Sequence, residues 1–500
     1  MKRIYVIVLF CVAAIAMLCL SFKTITVTNP YQSSYQNRLD IFTKEQQSLV
    51  QTIEQSNIHS SADLHTIKAK IDAARIHMKT LDFWMRYLEP VKYKKVNGPL
   101  PVEWETEVFE KFEKPYKREG AGLTLAALYL EEENIEKDSL ANLIRSSVDA
   151  CATFAADSIT DELKTYHHFF LANRLYLLNL SAIYTTGFEC PDTTNVIPEL
   201  KLMLADVAAI YKAFNTSFPE TALSANYMDL YQDAIAFVNQ QSSSYSAFDH
   251  FLFIKNYINP LFKLNQGLLV QYKVLSKSFV DYSLNKNAVS IFDKTLYRGQ
   301  NSKGVFLRVT DPKALAEIDH LGKMFFYDPI LSGNNKRSCA SCHKGTQYFT
   351  DTAVLTSLQY DHKNDLERNT PSLINAGFNH LVMLDGKHIS LQNQTKDVIG
   401  NAREMGSNEK EVLKKVLSCG TYKNMLNKLL TYTPQEPEIT VDHMVSAITL
   451  YYSKFSSFYA PFDEAINNNK PLNISAQKGF NLFRARRNVL PVIFYHNLME

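Results

Sequence analysis

Ser338-Cys339-Ala340-Ser341-Cys342-His343 is the stretch from which the chain is best read. Two thiols three positions apart can each add to one vinyl group of the same haem, and the adjacent imidazole then reaches the iron. With this chain's own Cys and His frequencies, the pattern arises by chance in roughly 0.0025 of such sequences. A zinc site would need a second ligand pair at suitable spacing, and Cys419 stands alone. A thioredoxin-like use would need a surrounding βαβ pattern, which is missing here. Cys339 and Cys342 are therefore expected to hold one haem c, with His343 as its proximal ligand.

The flanks say more than the motif. Upstream lies Leu321-Gly322-Lys323-Met324-Phe325-Phe326-Tyr327-Asp328-Pro329-Ile330-Leu331-Ser332-Gly333, and downstream Phe349-Thr350-Asp351. Then come Arg368-Asn369-Thr370-Pro371-Ser372-Leu373-Ile374-Asn375, Asp385-Gly386-Lys387, Ser390-Leu391-Gln392-Asn393-Gln394 and Glu404-Met405-Gly406. This ordered series resembles the bacterial di-haem cytochrome c peroxidase and MauG family over residues 297–483. The resemblance implies that the haem on Cys339 and Cys342 is the peroxidatic one, and that the substrate is hydrogen peroxide. A small cytochrome or a similar molecule would donate the electrons. It matches Glu404 to the family's acid/base and Gln394 to its distal-pocket glutamine. Taken as chemistry, the pair suits peroxide cleavage, because a carboxylate shuttles protons and an amide orients peroxide without titrating. Arg368 is the candidate partner of a haem propionate, or else ties two loops together. His362, the only His between His343 and His380, is the candidate reversible sixth ligand, or else an exposed loop residue. His380, His388, Met405 and Met444 are read as packing residues. Calcium between haem domains and a homodimer are further features that the family allows, although no acidic loop of EF-hand type is present.

Two departures from the family stand out. Many members carry Trp before an Asp-Gly-Arg turn, between the haems; here that position is Leu384, followed by Asp385-Gly386-Lys387. Electron hopping through that Trp is therefore not expected. In addition, Gly479-Phe480-Asn481-Leu482-Phe483 matches the segment that opens the family's second haem domain, yet no second Cys-x-x-Cys-His follows it. Codons straddling Asn488 to Ile493 can spell Cys-Ala-Thr-Cys-His in a shifted frame, so an out-of-frame tail from about residue 484 is the favoured expectation. The rival is a shortened protein whose basic end, Arg484, Arg486 and Arg487, is solvated.

At the other end, Lys2 and Arg3 precede an apolar run from Ile4 to Phe22. Such a segment is an export signal or a single anchor helix, and its basic start puts the rest of the chain outside the cytoplasm, in the periplasm. With no A-x-A cleavage site, an uncleaved anchor is slightly favoured, and it is the only membrane contact expected. Residues 35–290 hold few of the sixteen Gly, which predicts long helices there and shorter, loop-joined ones afterwards. Leu200, Met203, Leu204, Val207, Ile210, Tyr211 and Phe214 fall on one face at a 3.6-residue period. The stretch Glu113 to Leu123, just after Val102-Glu103-Trp104-Glu105, resembles the imelysin-like helical domains of bacterial envelope proteins. The adjacent pair His167 and His168 points about 100° apart on a helix and suits a packing role better than metal binding. Cys151 and Cys190 either pair or remain two small buried groups.

A net charge of +2, from 53 basic against 51 acidic residues, gives no global attraction for nucleic acid. At 46% hydrophobic the chain is too apolar for disorder, and 500 residues accommodate two or three domains. The expected architecture is mainly α. It comprises a signal or anchor over 1–24, a helical domain over 35–290, a cytochrome c-type haem domain over 297–463, and the start of a second over 464–500. The expected activity is peroxide reduction, impaired by loss of the second haem motif. The alternatives are a membrane-tethered mono-haem electron carrier and a MauG-like oxidation of a protein substrate.

Overall fold

The computed structural model describes residues 29–98, 102–105, 116–118, 120–187, 189–276, 286–293, 301–379, 382–383, 387–388, 390–455 and 460–485. The apolar run at the start, His380, the Leu384 position and the tail after 485 lie outside the described residues, as do residues 113–115 and 119 of the imelysin-like stretch. Among the described residues the protein is mainly α, and the one sheet is an antiparallel pair, Val102–Glu105 with Tyr116–Arg118. Among the same residues no helix is long and apolar enough to cross a membrane.

Two long helices open the described chain, α1 (Pro30–Gln55) and α2 (Ser61–Leu88). Their starts are set by side-chain caps: Asn29 accepts from the Tyr31 and Gln32 amides ahead of a Pro at the first turn, and Ser60 accepts from the Asp63 amide. Tyr31, Tyr35, Leu39, Phe42, Gln46, Leu49 and Ile53 recur at helical spacing and are the buried stripe of α1. The sequence periodicity at 200–214 is realised in α3 (Val196–Ser217), where all seven face residues are buried. These elements close a large core that gathers residues between Tyr31 and Ile291. His168 lies inside it, its Nε2 2.9 Å from the Tyr31 hydroxyl, and the His167 Nδ1 accepts from the Leu275 amide, so both histidines serve packing and hydrogen bonding. Cys151 and Cys190 are both free: Gln46 Nε2 lies 3.5 Å from one sulfur, and the other contacts the Asp192 carbonyl.

A separate core gathers residues between Phe306 and Tyr452. Its centre is the crossing of α4 (Pro312–Tyr327) with α5 (Val441–Tyr452). Gly322 makes that crossing close, because a Cβ there would lie 1.9 Å from the Ala447 carbonyl oxygen. The haem-motif turn, Cys339–Ser341, rests on α4, and the helix Leu391–Gly400 rests on α5. Beyond it, the helices Pro461–Asn467 and Ile474–Ala485 turn to the other region. Ala465 and Ile466 form a small apolar cluster with Phe251, and Asn481 accepts from the Phe251 amide at 2.8 Å while donating to Asp249 at 3.0 Å.

Candidate functional site

The turn that carries the motif is short and self-capped. Ser341 Oγ accepts from the Ser338 amide at 3.0 Å, and the His343 amide closes on the Cys339 carbonyl at 2.9 Å. Neither Cys339 nor Cys342 is in a disulfide. Cys339 packs against the apolar core, and burial pushes its thiol up to about 12. A thiol held neutral is unlike the depressed thiolates of redox and metal-binding cysteines.

The imidazole of His343 is fixed from one side. Its Nδ1 lies 3.0 Å from the Phe349 carbonyl oxygen, so that nitrogen carries the proton and Nε2 is left with its lone pair. Burial lowers the pKa of this ring against the opposing pull of the Phe349 and Pro371 carbonyls, which keeps it neutral. A tight loop presents the acceptor. Tyr348 and Phe349 adopt positive φ angles of 57° and 55°, and the Lys344 amide donates back to the Thr350 carbonyl at 3.2 Å. Phe349 is held there by its ring, stacked on Phe455 at 3.7 Å. Two free thiols beside a neutral imidazole whose Nδ1 is pinned to a carbonyl form a donor set that fits a covalently attached haem.

Gln394 and Glu404 belong to one unit. Gln394 is half-buried on the helix Leu391–Gly400, which is pinned to α5 by its neighbour Gln392, whose Nε2 donates to Thr449 Oγ1 at 2.9 Å. After Gly400 the chain doubles back, with the Gly406 amide donating to Asn401 O at 2.9 Å and the Ser407 amide to Ile399 O at 3.0 Å. Glu404 sits half-buried in that return loop and accepts from Asn401 Nδ2 at 2.8 Å. Loss of water raises its carboxyl above the usual range, Asp397 adds to the rise, and the Asn401 bond and the Arg337 charge oppose it. A carboxyl raised in this way holds its proton more readily than a solvated one.

This loop is tied to the segment entering the motif. The Gly333 amide donates to Met405 O at 2.9 Å, and Arg337 donates to Glu404 O at 3.2 Å. Gly406 has φ +57°, and a Cβ on it would lie 2.9 Å from the Tyr360 ring, so only glycine lets the loop close here.

The remaining sequence candidates are scattered between surface and core. Arg368 is exposed. His362 is exposed with φ +56°, in a turn where the Asp361 carboxylate accepts from the Lys363 and Asn364 amides. His388 faces Asp397 at 3.1 Å, beside Lys387 at 2.8 Å, while Met405 and Met444 are core residues. Sequence reasoning missed Arg337, Asn401 and Tyr360. The one available signal was the position of Arg337, directly before Ser338.

Residues 316–471 match the model of the family described as di-haem cytochrome c peroxidase. The chain is 30% identical over 170 residues to the cytochrome c551 peroxidase of Nitrosomonas europaea, an alignment covering 34% of this chain and 49% of that protein. It is 28% identical over 167 residues to the methylamine utilization protein MauG of Methylorubrum extorquens, covering 33% and 46% respectively. A solved MauG-like protein associated with microbial copper homeostasis aligns at 25% identity and a TM-score of 0.29, over 33% of this chain and 48% of that one. The chain thus spans about half the length of the curated relatives it matches.

Proposed function

We propose that the segment matching the di-haem peroxidase family carries one haem c and reduces hydrogen peroxide. The observation that carries the reading is the arrangement of Cys339, Cys342 and His343, with Nδ1 pinned at 3.0 Å to the Phe349 carbonyl. Cys339 and Cys342 would hold the group through thioethers, and His343 Nε2 would bind its iron. When bound, the haem supplies the redox centre at which the peroxide bond is split.

The chain's own residues account for the protons. Glu404, as carboxylate, would take a proton from one peroxide oxygen and deliver it to the departing oxygen, which would leave as water. Two electrons and two further protons convert the other oxygen to water, so that one peroxide gives two waters. The electrons are proposed to come from a small cytochrome or a similar donor. Gln394, which does not titrate, orients the peroxide through its amide.

The mature chain should retain one haem through acid–acetone extraction, counted as the pyridine haemochrome. Glu404→Gln should keep that haem and slow the peroxide-driven change in Soret absorbance by about 10²–10⁴-fold. A colourless chain overturns the whole reading. An unchanged rate in Glu404→Gln leaves a mono-haem electron carrier in its place.

A further inference from the structure

Arg337 is only 5% exposed, although it ends the polar run Asn334-Asn335-Lys336-Arg337. Its guanidinium donates to three main-chain carbonyls on two other loops: Glu404 O at 3.2 Å, Leu358 O at 2.7 Å and Gln359 O at 2.8 Å. Its own amide is held by Ser332 Oγ at 3.3 Å, and Lys415 in turn holds Ser332 O. The segment leading into the Cys339 turn is therefore rigid at the point from which the guanidinium reaches out.

We propose that Arg337 is the positioning residue for Glu404, fastening the loop that bears this carboxyl to the chain entering the haem-attachment turn, so that carboxyl and haem keep one spacing. The inference rests on the peroxidase reading of Glu404. A planar fork with five donors can meet three carbonyls that do not lie in line, whereas an ammonium ion presents a point charge. Merely joining two loops does not call for a buried cation, since an apolar side chain of similar volume does this at no desolvation cost. The charge acts on Glu404 as well. Of the other charged groups facing this loop, Arg403 is occupied by Glu367 at 2.6 Å, and Asp397 by Lys387 and His388. The Arg337 hydrogen bonds go to neutral carbonyls, so its field is not cancelled by an ion pair of its own, and it favours the ionised form of Glu404. Tyr360 completes the clamp, its amide donating to Arg403 O at 2.7 Å and its ring lying against Gly406.

The test uses the full haem-loaded chain and two substitutions. In Arg337→Gln the protonated-carboxyl infrared band of Glu404, identified by its loss in Glu404→Gln, should titrate about one pH unit higher. The acid limb of the peroxide reaction should move by the same amount while haem content stays constant. In Arg337→Lys the midpoint should stay near the wild-type value, while the peroxide rate falls about tenfold at every pH because the fork is lost. An unmoved midpoint in Arg337→Gln overturns the proposal, as does a full rate in Arg337→Lys. Should Arg337→Gln not retain haem, the rate of Arg337→Lys decides alone. If Glu404→Gln reacts with peroxide at the wild-type rate, the peroxidase reading itself has failed and Arg337 falls with it. If Glu404→Gln is slow and the Arg337 variants behave like wild type, only the role of Arg337 is wrong.

Discussion

The two cores treat buried charge in opposite ways. In the helical region Arg75 meets Glu199 through two bonds of 3.0 and 3.1 Å, while Glu189 takes Lys79 at 3.2 Å, Arg86 at 2.5 Å and Asn97 at 3.1 Å. Asp82 completes the network, accepting from the Tyr93 hydroxyl at 2.5 Å and facing Arg86 at 3.4 Å. Three cations and three carboxylates cancel within one buried cluster, with Tyr93 and Tyr184 as cation–π faces for Arg86. In the region of the motif, by contrast, His343 keeps one ring nitrogen open, Glu404 is only half-buried, and Arg337 spends its charge on carbonyls. A network that satisfies itself stabilises a fold, whereas groups with an open valence are what a reaction uses. The difference between the two regions lies in this contrast more than in the size of either core.

The largest way to break the comparison is to cut the self-cancelling network. Glu199→Leu leaves Arg75 buried without its carboxylate and should destabilise the helical region by about 3–5 kcal/mol. Both tryptophans, Trp84 and Trp104, precede residue 290, so their fluorescence reports that region, and Soret absorbance reports the other. The expected result is a strongly lowered fluorescence midpoint in urea with haem content unchanged. Equal shifts by both probes would show that the two regions unfold as one.

A smaller effect is expected from pH, and it has opposite signs in the two regions. Burial pushes the Glu189 carboxyl up, but Arg86 and Lys79 more than offset this and leave it at about 2. A depressed folded value stabilises above the unfolded carboxylate range and is lost as pH falls through it, so the fluorescence midpoint should drop between about pH 4.5 and 2. Glu404 is raised, mainly by desolvation. Its contribution is complete below the unfolded carboxylate value and is lost as pH rises through its folded value. Acidification from about pH 4.5 to 2 should therefore remove the Glu189 contribution from the helical region, whereas the Glu404 loop gains as pH falls through the folded value of Glu404. Glu404→Gln should abolish that gain and leave the fluorescence curve unchanged.

These contrasts were unequally visible in the sequence. The face of α3 was legible because helical periodicity is local, and the Cys-x-x-Cys-His pattern was legible because thioether attachment fixes its own spacing. The ion network was not, because Arg75 and Glu199 are 124 positions apart and each carries the residue type expected of a solvated helix face. Arg337 was hidden by company: a basic residue after Asn334, Asn335 and Lys336 reads as exposed loop, and it is the 401–407 loop together with the Leu358–Gln359 segment that covers it. Whether Cys151 and Cys190 pair was open in the sequence for the same reason, since it depends on how the helix Lys137–Phe154 and the 190–192 turn are placed. For Arg368 and His362 the sequence offered roles, and the fold places both in exposed loop positions.

The smallest expected effect concerns the strain beside His343. Tyr348 and Phe349 are consecutive non-glycine residues at φ 57° and 55°, a region that costs a side chain roughly 1–2 kcal/mol per residue. Phe349 cannot be relieved, because its ring stacks on Phe455 and its carbonyl holds His343 Nδ1. Tyr348 has less to lose: its ring is 73% exposed, and the bond it makes to Ser372 Oγ, at 2.6 Å, uses its main-chain carbonyl. Tyr348→Gly removes the steric cost and keeps that bond, against the greater freedom of glycine in the unfolded chain. The net should be a gain of at most about 1 kcal/mol, read as a Soret-monitored midpoint raised by a few degrees, with the fluorescence transition unmoved. A lowered midpoint would mean that the exposed phenol ring itself contributes to the stability of the motif region.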